Sequence, residues 1–434
     1  MYGSDAGIAG SDVVVATGVR ERSRLEALDR VLVGALVTVF LLASFLPYFA
    51  LIPLPSDTQP YALVLATLLA AASITRRVRR ELILLFVPFA LSLLMLLGNG
   101  MSLVAIRSVA NYASIAVIPF VTYLAVRADR ERFRRVLRFS VYVWLAGAIL
   151  QIGLGQELFA LLLPSVRTSE SRGVTSFAPE PTHYGLQCVF LLLLVLMEFD
   201  GKERMRLSAI LVAQILFLAQ STLAALVLVG MLGLYLLTHI NSPKRVLLLV
   251  LVTASAAGLV VLGVRASGIE IHRSRILFLA VALLKHPEYL FLVDQSGNAR
   301  LAAILFSFYG FLADWTAPHG FSAYAEFVDE TVARFSDVIT HADRADRIMS
   351  GYGAALFELG LIGLLIPIVI TIVFWRAFRS QPRQFIILCT TLHAILLAAI
   401  PLANPVIGVV VGYAALRATE CEEAAAPPAR AGGA

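Results

Sequence analysis

The sequence predicts an all-α polytopic membrane protein with about 12 spans. Of its 434 residues 59% are hydrophobic and only 15% charged, the mean hydropathy is +0.84, and the apolar residues collect in long runs divided by short cationic stretches. Soluble domains are nearer half apolar and about a quarter charged. A soluble chain of this composition would expose far more apolar surface than it could bury.

A hydrocarbon core about 30 Å thick takes roughly 20 helical residues to cross. The candidate runs are 31–53, 61–75, 82–97, 108–126, 139–163, 184–197, 207–219, 222–238, 246–264, 354–375, 385–400 and 406–416. Residues 207–238 read as almost continuous, yet Lys202, Arg204 and Arg206 precede them and Lys244 and Arg245 follow. Two helices turning at Gln220-Ser221 keep both cationic ends on one side.

With the amino terminus cytoplasmic, 24 of the 35 cations and 14 of the 29 acids fall inside, which leaves 11 cations and 15 acids outside. The result is +10 inside and −4 outside, as the positive-inside rule demands. The first 30 residues lack an apolar h-region, so they read as a cytoplasmic tail with Val31 onward acting as a signal anchor. The organisation expected is helices 1–9 over 31–264, including an outward loop at 164–183, then a large outward loop at 265–353, and helices 10–12 over 354–416. An Ala-, Pro- and Glu-rich tail at 417–434 is expected to be disordered.

Cys188, Cys389 and Cys421 lie far apart, so neither a disulfide framework nor a metal cluster is expected. The chain lacks a Gly-rich phosphate loop, an HExxH motif and an aromatic-basic nucleic-acid module. No cofactor, metal or nucleic-acid partner is therefore expected. Asp343 and Asp346 stand beside Arg344 and Arg347, which oppose a shared cation.

The polar residues gather in the two outward loops. The shorter reads PSVRTSESRGVTSFAPEPTH, and the longer holds eight cations, ten acids and four of the seven histidines. Within the longer loop, 275–284 and 300–312 are apolar enough to lie on the membrane or re-enter it. A connection of this length reads as a folded cap, since long structureless loops are uncommon. A secondary transporter would instead carry ionisable groups near mid-bilayer on interrupted helices in paired halves, a pattern not visible here.

Residues Arg172 to Gly185, RGVTSFAPEPTHYG, resemble the arginine-to-EP signature of bacterial Wzy-type polysaccharide polymerases and O-antigen ligases. The segment Ser296-Gly297-Asn298-Ala299-Arg300 is similar to the arginine segment of their large periplasmic loop. Ala317-Pro318-His319-Gly320-Phe321 resembles the turn that follows it, and Phe357-Glu358-Leu359-Gly360-Leu361-Ile362-Gly363 the entry into the next span. The likeness runs from about Phe139 to Trp375.

The resemblance implies a GT-C-like glycosyltransferase in the bacterial inner membrane, with a polyprenyl-pyrophosphate-linked glycan as donor at the periplasmic face. It also implies a flippase and a chain-length regulator as partners. Arg172 and Arg300 would then hold the diphosphate, since guanidinium offers a planar bidentate fork and keeps its charge in low dielectric. They would stabilise the charge that grows as the glycosidic bond breaks. The bland alternative is pairing with nearby acids or lipid phosphates, as Arg167 and Glu170 suggest.

Deprotonating an acceptor hydroxyl needs a base, for which Glu180, His183, His319 and His341 are candidates. Tyr184 joins His183 and His341 as a substrate-binding candidate. Glu180, between Pro179 and Pro181, instead suits orienting Arg172 by a salt bridge. The charged run at 341–347 also reads as a solvated helix face. Ligases of this superfamily carry a His-Asn pair about nine residues before the glutamate of the ELG segment, where this chain has Met349-Ser350. That departure favours a polymerase over a ligase.

Overall fold

In the computed structural model, the described residues are 31–50, 58–73, 78–163, 166–167, 173–239, 295–342 and 348–425, and among them every regular element is helical. The helices are α1 (Val31–Phe45), α2 (Tyr61–Ala71), α3 (Arg80–Leu84), α4 (Phe86–Asn99), α5 (Leu103–Ala128), α6 (Arg130–Leu154) and α7 (Pro181–Glu198). Next come α8 (Gly201–Ala213), prolonged by a π-helical turn at Gln214–Ala219, and α9 (Thr222–His239). Residues 295–342 supply α10 (Gln295–Ala313) and α11 (Tyr324–Thr331), followed by α12 (Gly351–Leu359), α13 (Leu365–Phe378), α14 (Pro382–Ala398) and α15 (Pro405–Ala425).

Among the described residues six helical stretches are long and apolar enough to cross a membrane, namely Arg80–Gly98, Leu103–Ala128, Arg130–Leu154, Pro181–Glu198, Thr222–His239 and Gly351–Phe378. Three shorter apolar helices accompany them. The chain is thus an all-helical, membrane-embedded protein. The expected span at 246–264 and the apolar segment at 275–284 lie outside the described residues.

Helices α5, α7 and α15 form the centre. Lipid tails are as apolar as leucine, so helices in a bilayer associate by close packing, for which small residues are suited. Gly408 and Gly412, four apart on α15, supply it: a Cβ at Gly408 would lie 2.6 Å from Ile118 Cγ2, and one at Gly412 2.4 Å from the Pro119 carbonyl oxygen. Helix α9 sits at the periphery, with only 6% of its spanning window buried.

The cationic ends of the helices are tied together by acids. Glu198, fully buried, receives Arg130 at 2.9 Å, Arg134 and the Tyr413 hydroxyl. Arg130 also pairs with Glu420 at 2.9 Å, Arg79 with Glu422 at 3.0 Å and Arg127 with Glu423 at 3.2 Å. These pairs explain a departure from expectation. Helix α15 runs on to Ala425, so the first half of the segment expected to be disordered is helical and anchored.

Two other boundaries differ. The expected span at 139–163 is a helix that starts nine residues earlier, capped by Asp129 accepting from the Arg132 amide at 2.9 Å, and stops at Leu154 before Gly155. The apolar stretch 300–312 is the body of α10, which buries Ala302, Ala303, Phe306, Ser307 and Gly310. It forms a satellite core with Tyr324, Val328 and Phe357. The break between α8 and α9 falls at Gln220, whose φ is 46°. Ser221 caps α9 by accepting from the Ala224 amide at 3.2 Å.

Candidate functional site

Glu180 is the residue before α7, in extended backbone (φ −151°, ψ 157°) with Pro181 opening the helix. Proline at that position sacrifices an amide that has no intrahelical partner in any case. The Glu180 side chain does not cap its own helix. It lies 2.8 Å from His183 Nδ1 and 3.7 Å from Arg300 Nη2. The histidine contact is close but off the line of a well-aligned hydrogen bond.

Arg300, in the second turn of α10, also donates from Nη1 to the Ala399 carbonyl at 3.2 Å. Ala399 ends α14, and carbonyls at a helix end lack intrahelical donors and favour a cation. The side chains of His183, Arg300 and Glu180 are only 7%, 12% and 16% exposed. Two segments separated by 120 positions therefore share one largely desolvated cluster.

Burial raises the Glu180 pKa, but the close contact with His183 and the nearby guanidinium groups of Arg300 and Arg167 outweigh it and hold the carboxyl down at about 2. Such a group is ionised at neutral pH and accepts a proton poorly. Its chemistry here is to fix cations.

The segment leading to Glu180 is locked by backbone contacts. Gln151 Oε1 accepts from the amides of Thr175 at 3.1 Å and Ser176 at 2.5 Å, and the Ser176 hydroxyl donates to the Trp144 carbonyl at 2.9 Å. The Val174 amide bonds the Leu218 carbonyl at 2.9 Å. A Cβ at Gly173 would meet the Leu218 oxygen at 2.2 Å, so only glycine fits. Arg172, next in the chain, lies outside the described residues.

Further support comes from residues the sequence did not single out. The Tyr48 ring stands edge-on to His183 with centroids 5.5 Å apart, and Asn404 Nδ2 donates to the Tyr48 hydroxyl at 3.2 Å. Asn298, fully buried, donates to the Val338 carbonyl at 2.9 Å and accepts from the amides of Thr340 at 2.9 Å and His341 at 2.7 Å. It thus ties the 338–341 strand of backbone to the turn of α10 that bears Arg300.

The remaining candidates are placed differently. Tyr184, expected to bind substrate, is fully buried. Its hydroxyl donates to Gln214 Oε1 at 2.8 Å and its ring stacks on Trp144 at 5.5 Å, contacts that pack α7 against α6 and the turn after α8. His341 is exposed and not helical, in contrast to a solvated helix face; residues 343–347 lie outside the described residues. His319 stacks on Phe357 at 4.2 Å, with Nε2 2.7 Å from Asp314 Oδ2. Asp314 follows the end of α10, about 20 Å along the helix from Arg300 at 1.5 Å per residue. His319 is therefore not brought into the Glu180 cluster.

Among the described residues Glu180 meets Arg300; the salt bridge to Arg172 expected from sequence falls on a residue outside the described ones. Glu358, at the entry into the next span, is buried and accepts from Tyr112 at 2.5 Å and Ser108 at 2.9 Å, which fastens α12 to α5. The turn around His319 is bound to the same place, its amide donating to the Phe357 carbonyl at 3.0 Å. Among the described residues no group of three or more metal-ligating side chains converges.

Comparison with known proteins finds no match to the chain, neither among protein-family models nor among curated protein sequences.

Proposed function

We propose that the protein is a polysaccharide polymerase of the bacterial inner membrane. It is a glycosyltransferase that moves a glycan from a polyprenyl-pyrophosphate donor onto a lipid-linked repeat unit at the periplasmic face, with its amino terminus cytoplasmic. The observation that carries this reading is the meeting of Arg300 with Glu180 and His183 from two outward segments. A flippase and a chain-length regulator are the partners the reading entails.

In this reading Arg300 binds the donor diphosphate, joined by Arg172 from the Glu180 loop. Glu180 sets the direction of Arg300 and faces His183 Nδ1, which leaves Nε2 for the acceptor hydroxyl. The acceptor oxygen attacks the anomeric carbon, its proton passes to His183, and the bond to the diphosphate breaks to release polyprenyl pyrophosphate. Guanidinium donors aimed at the leaving oxygen stabilise the charge that develops there, for which loss of one donor costs about 10²–10³-fold in rate. Both lipid tails remain in the bilayer throughout.

The test is reconstitution of the purified chain with defined lipid-linked repeat units. Arg300→Ala and His183→Ala should leave single repeats unextended, while the wild type forms ladders. Transfer onto lipid A core in place of chain growth would identify a ligase. Altered uptake with no glycan product would identify a carrier.

A further inference from the structure

Across the bilayer from Glu180 a second site is built. A cleft of about 1070 Å³ opens between α7, α8, α9 and α14. Its shaft is walled by aliphatic side chains, among them Leu192, Val212, Leu228 and Leu388, and its polar lining lies at one end, with Arg204, Arg383, Gln384 and His239. That end adjoins Glu198, which is 18 residues from Glu180 on α7 and so about 27 Å away along the axis. Among the described residues no carboxylate lines the cleft, and Arg383 already holds an interaction of its own. Arg204 pairs with Asp200 at 4.0 Å, and the Asp200 side chain is 94% exposed, a loose surface contact that phosphate can replace.

This layout is the polarity of an amphiphile: a cationic mouth at the membrane surface above an apolar groove along the helices. A second protein copy would have to present a matching spine with acids at one level. Basic pockets between spanning helices on the cytoplasmic side are sites for anionic lipid head groups, and the volume suits a bound small molecule or chain.

We propose that this cleft binds an anionic phospholipid of the cytoplasmic leaflet, with its phosphate at Arg204 and Arg383 and its acyl chains along α7 and α9. The leaflet assignment rests on the orientation proposed above; the binding does not. The lipid supplies α9 with a packing partner on the side facing α14.

The experiment uses the full chain in phosphatidylcholine nanodiscs with trace spin-labelled phosphatidylglycerol or phosphatidylcholine, and reads the immobilised fraction by electron paramagnetic resonance. Wild type should immobilise phosphatidylglycerol preferentially. Arg204→Gln and Arg383→Gln should each weaken that preference about fivefold, the value expected for one cation at a membrane surface, with phosphatidylcholine unaffected. Leu228→Trp, which fills the shaft, should release the lipid with both arginines intact. Equal immobilisation of the two lipids, or retention unchanged in Arg204→Gln/Arg383→Gln, overturns the proposal. So does a dimer cross-linked through Leu228→Cys, which would make a second copy the occupant. Glycan polymerisation is not the readout, so failure here is separate from failure of the proposed activity.

Discussion

Replacing Glu180 by glutamine removes one charge from a cluster of 7–16% exposure and keeps its shape. The carboxyl titrates at about 2 against an ordinary 4.5, and each pH unit of such a difference corresponds to about 1.36 kcal/mol. The fold thus favours the ionised side chain by roughly 3 kcal/mol, an order-of-magnitude figure. Because the folded value lies below the unfolded one, this stabilisation is complete above about pH 4.5. It is lost as pH falls from there toward 2. Glu180→Gln should therefore lower the thermal midpoint at pH 7, and its deficit should shrink as pH drops through that window. The assay is thermal unfolding of the full chain in one detergent at stepped pH, for wild type, Glu180→Gln, Arg300→Gln and the double variant. A coupling of 1 kcal/mol or more between the two positions is expected for groups in one charge network. A Glu180→Gln deficit that is constant with pH, or additivity in the double variant, would refute the reasoning that Arg300 is held by this carboxylate.

Gly173→Ala should cost about 1–3 kcal/mol, the range for overpacking, because its Cβ meets the Leu218 oxygen at 2.2 Å; Gly153→Ala, with open space around it, serves as the silent control in a thermal-shift comparison. Glu198→Ala should destabilise by about 2–4 kcal/mol, below the full penalty for a broken buried pair because Arg130 and Arg134 are 39% and 36% exposed. Chemical denaturation that shows under 0.5 kcal/mol would contradict the clamp. Tyr184→Phe should lose about 1 kcal/mol of stability through its bond to Gln214 while the substrate KM of the reconstituted enzyme stays as it was. A raised KM would restore Tyr184 to the binding surface.

Hydropathy made the apolar helices legible, since a bilayer filters for runs of spanning length. It was a poor guide to where helices end. In α6 the arginines at 132, 134, 135 and 138 alternate with Phe133, Val136 and Leu137, all three buried, so the helix continues beyond the apolar run that marks the span. The same holds for α15, whose last turns are secured by acid–arginine pairs drawn from α5, α6 and the residue before α3. Glu180, His183 and Arg300 were singled out through the resemblance carried by their segments, while their meeting was not legible in the sequence. Tyr48, Asn404 and the Ala399 carbonyl were not, because their relevance depends on contacts across hundreds of positions. Asn298 lay within a segment already noted, yet a buried amide that organises backbone looks like any polar loop residue until its partners are known. Tyr184 follows His183 in sequence, but one residue turns a side chain about 100° around a helix, here toward Trp144 and Gln214, a packing role the sequence did not signal.

The cluster at Glu180 draws on position 48 from the first apolar helix's exit, 180–183 from the middle of the chain, 300 from α10 and 399–404 just ahead of the last helix. A ribosome must therefore deliver nearly the entire polypeptide before these groups can meet. A molecule truncated ahead of residue 399 carries Arg300 without the Ala399 carbonyl that accepts from it, and Tyr48 without the Asn404 amide that donates to its hydroxyl.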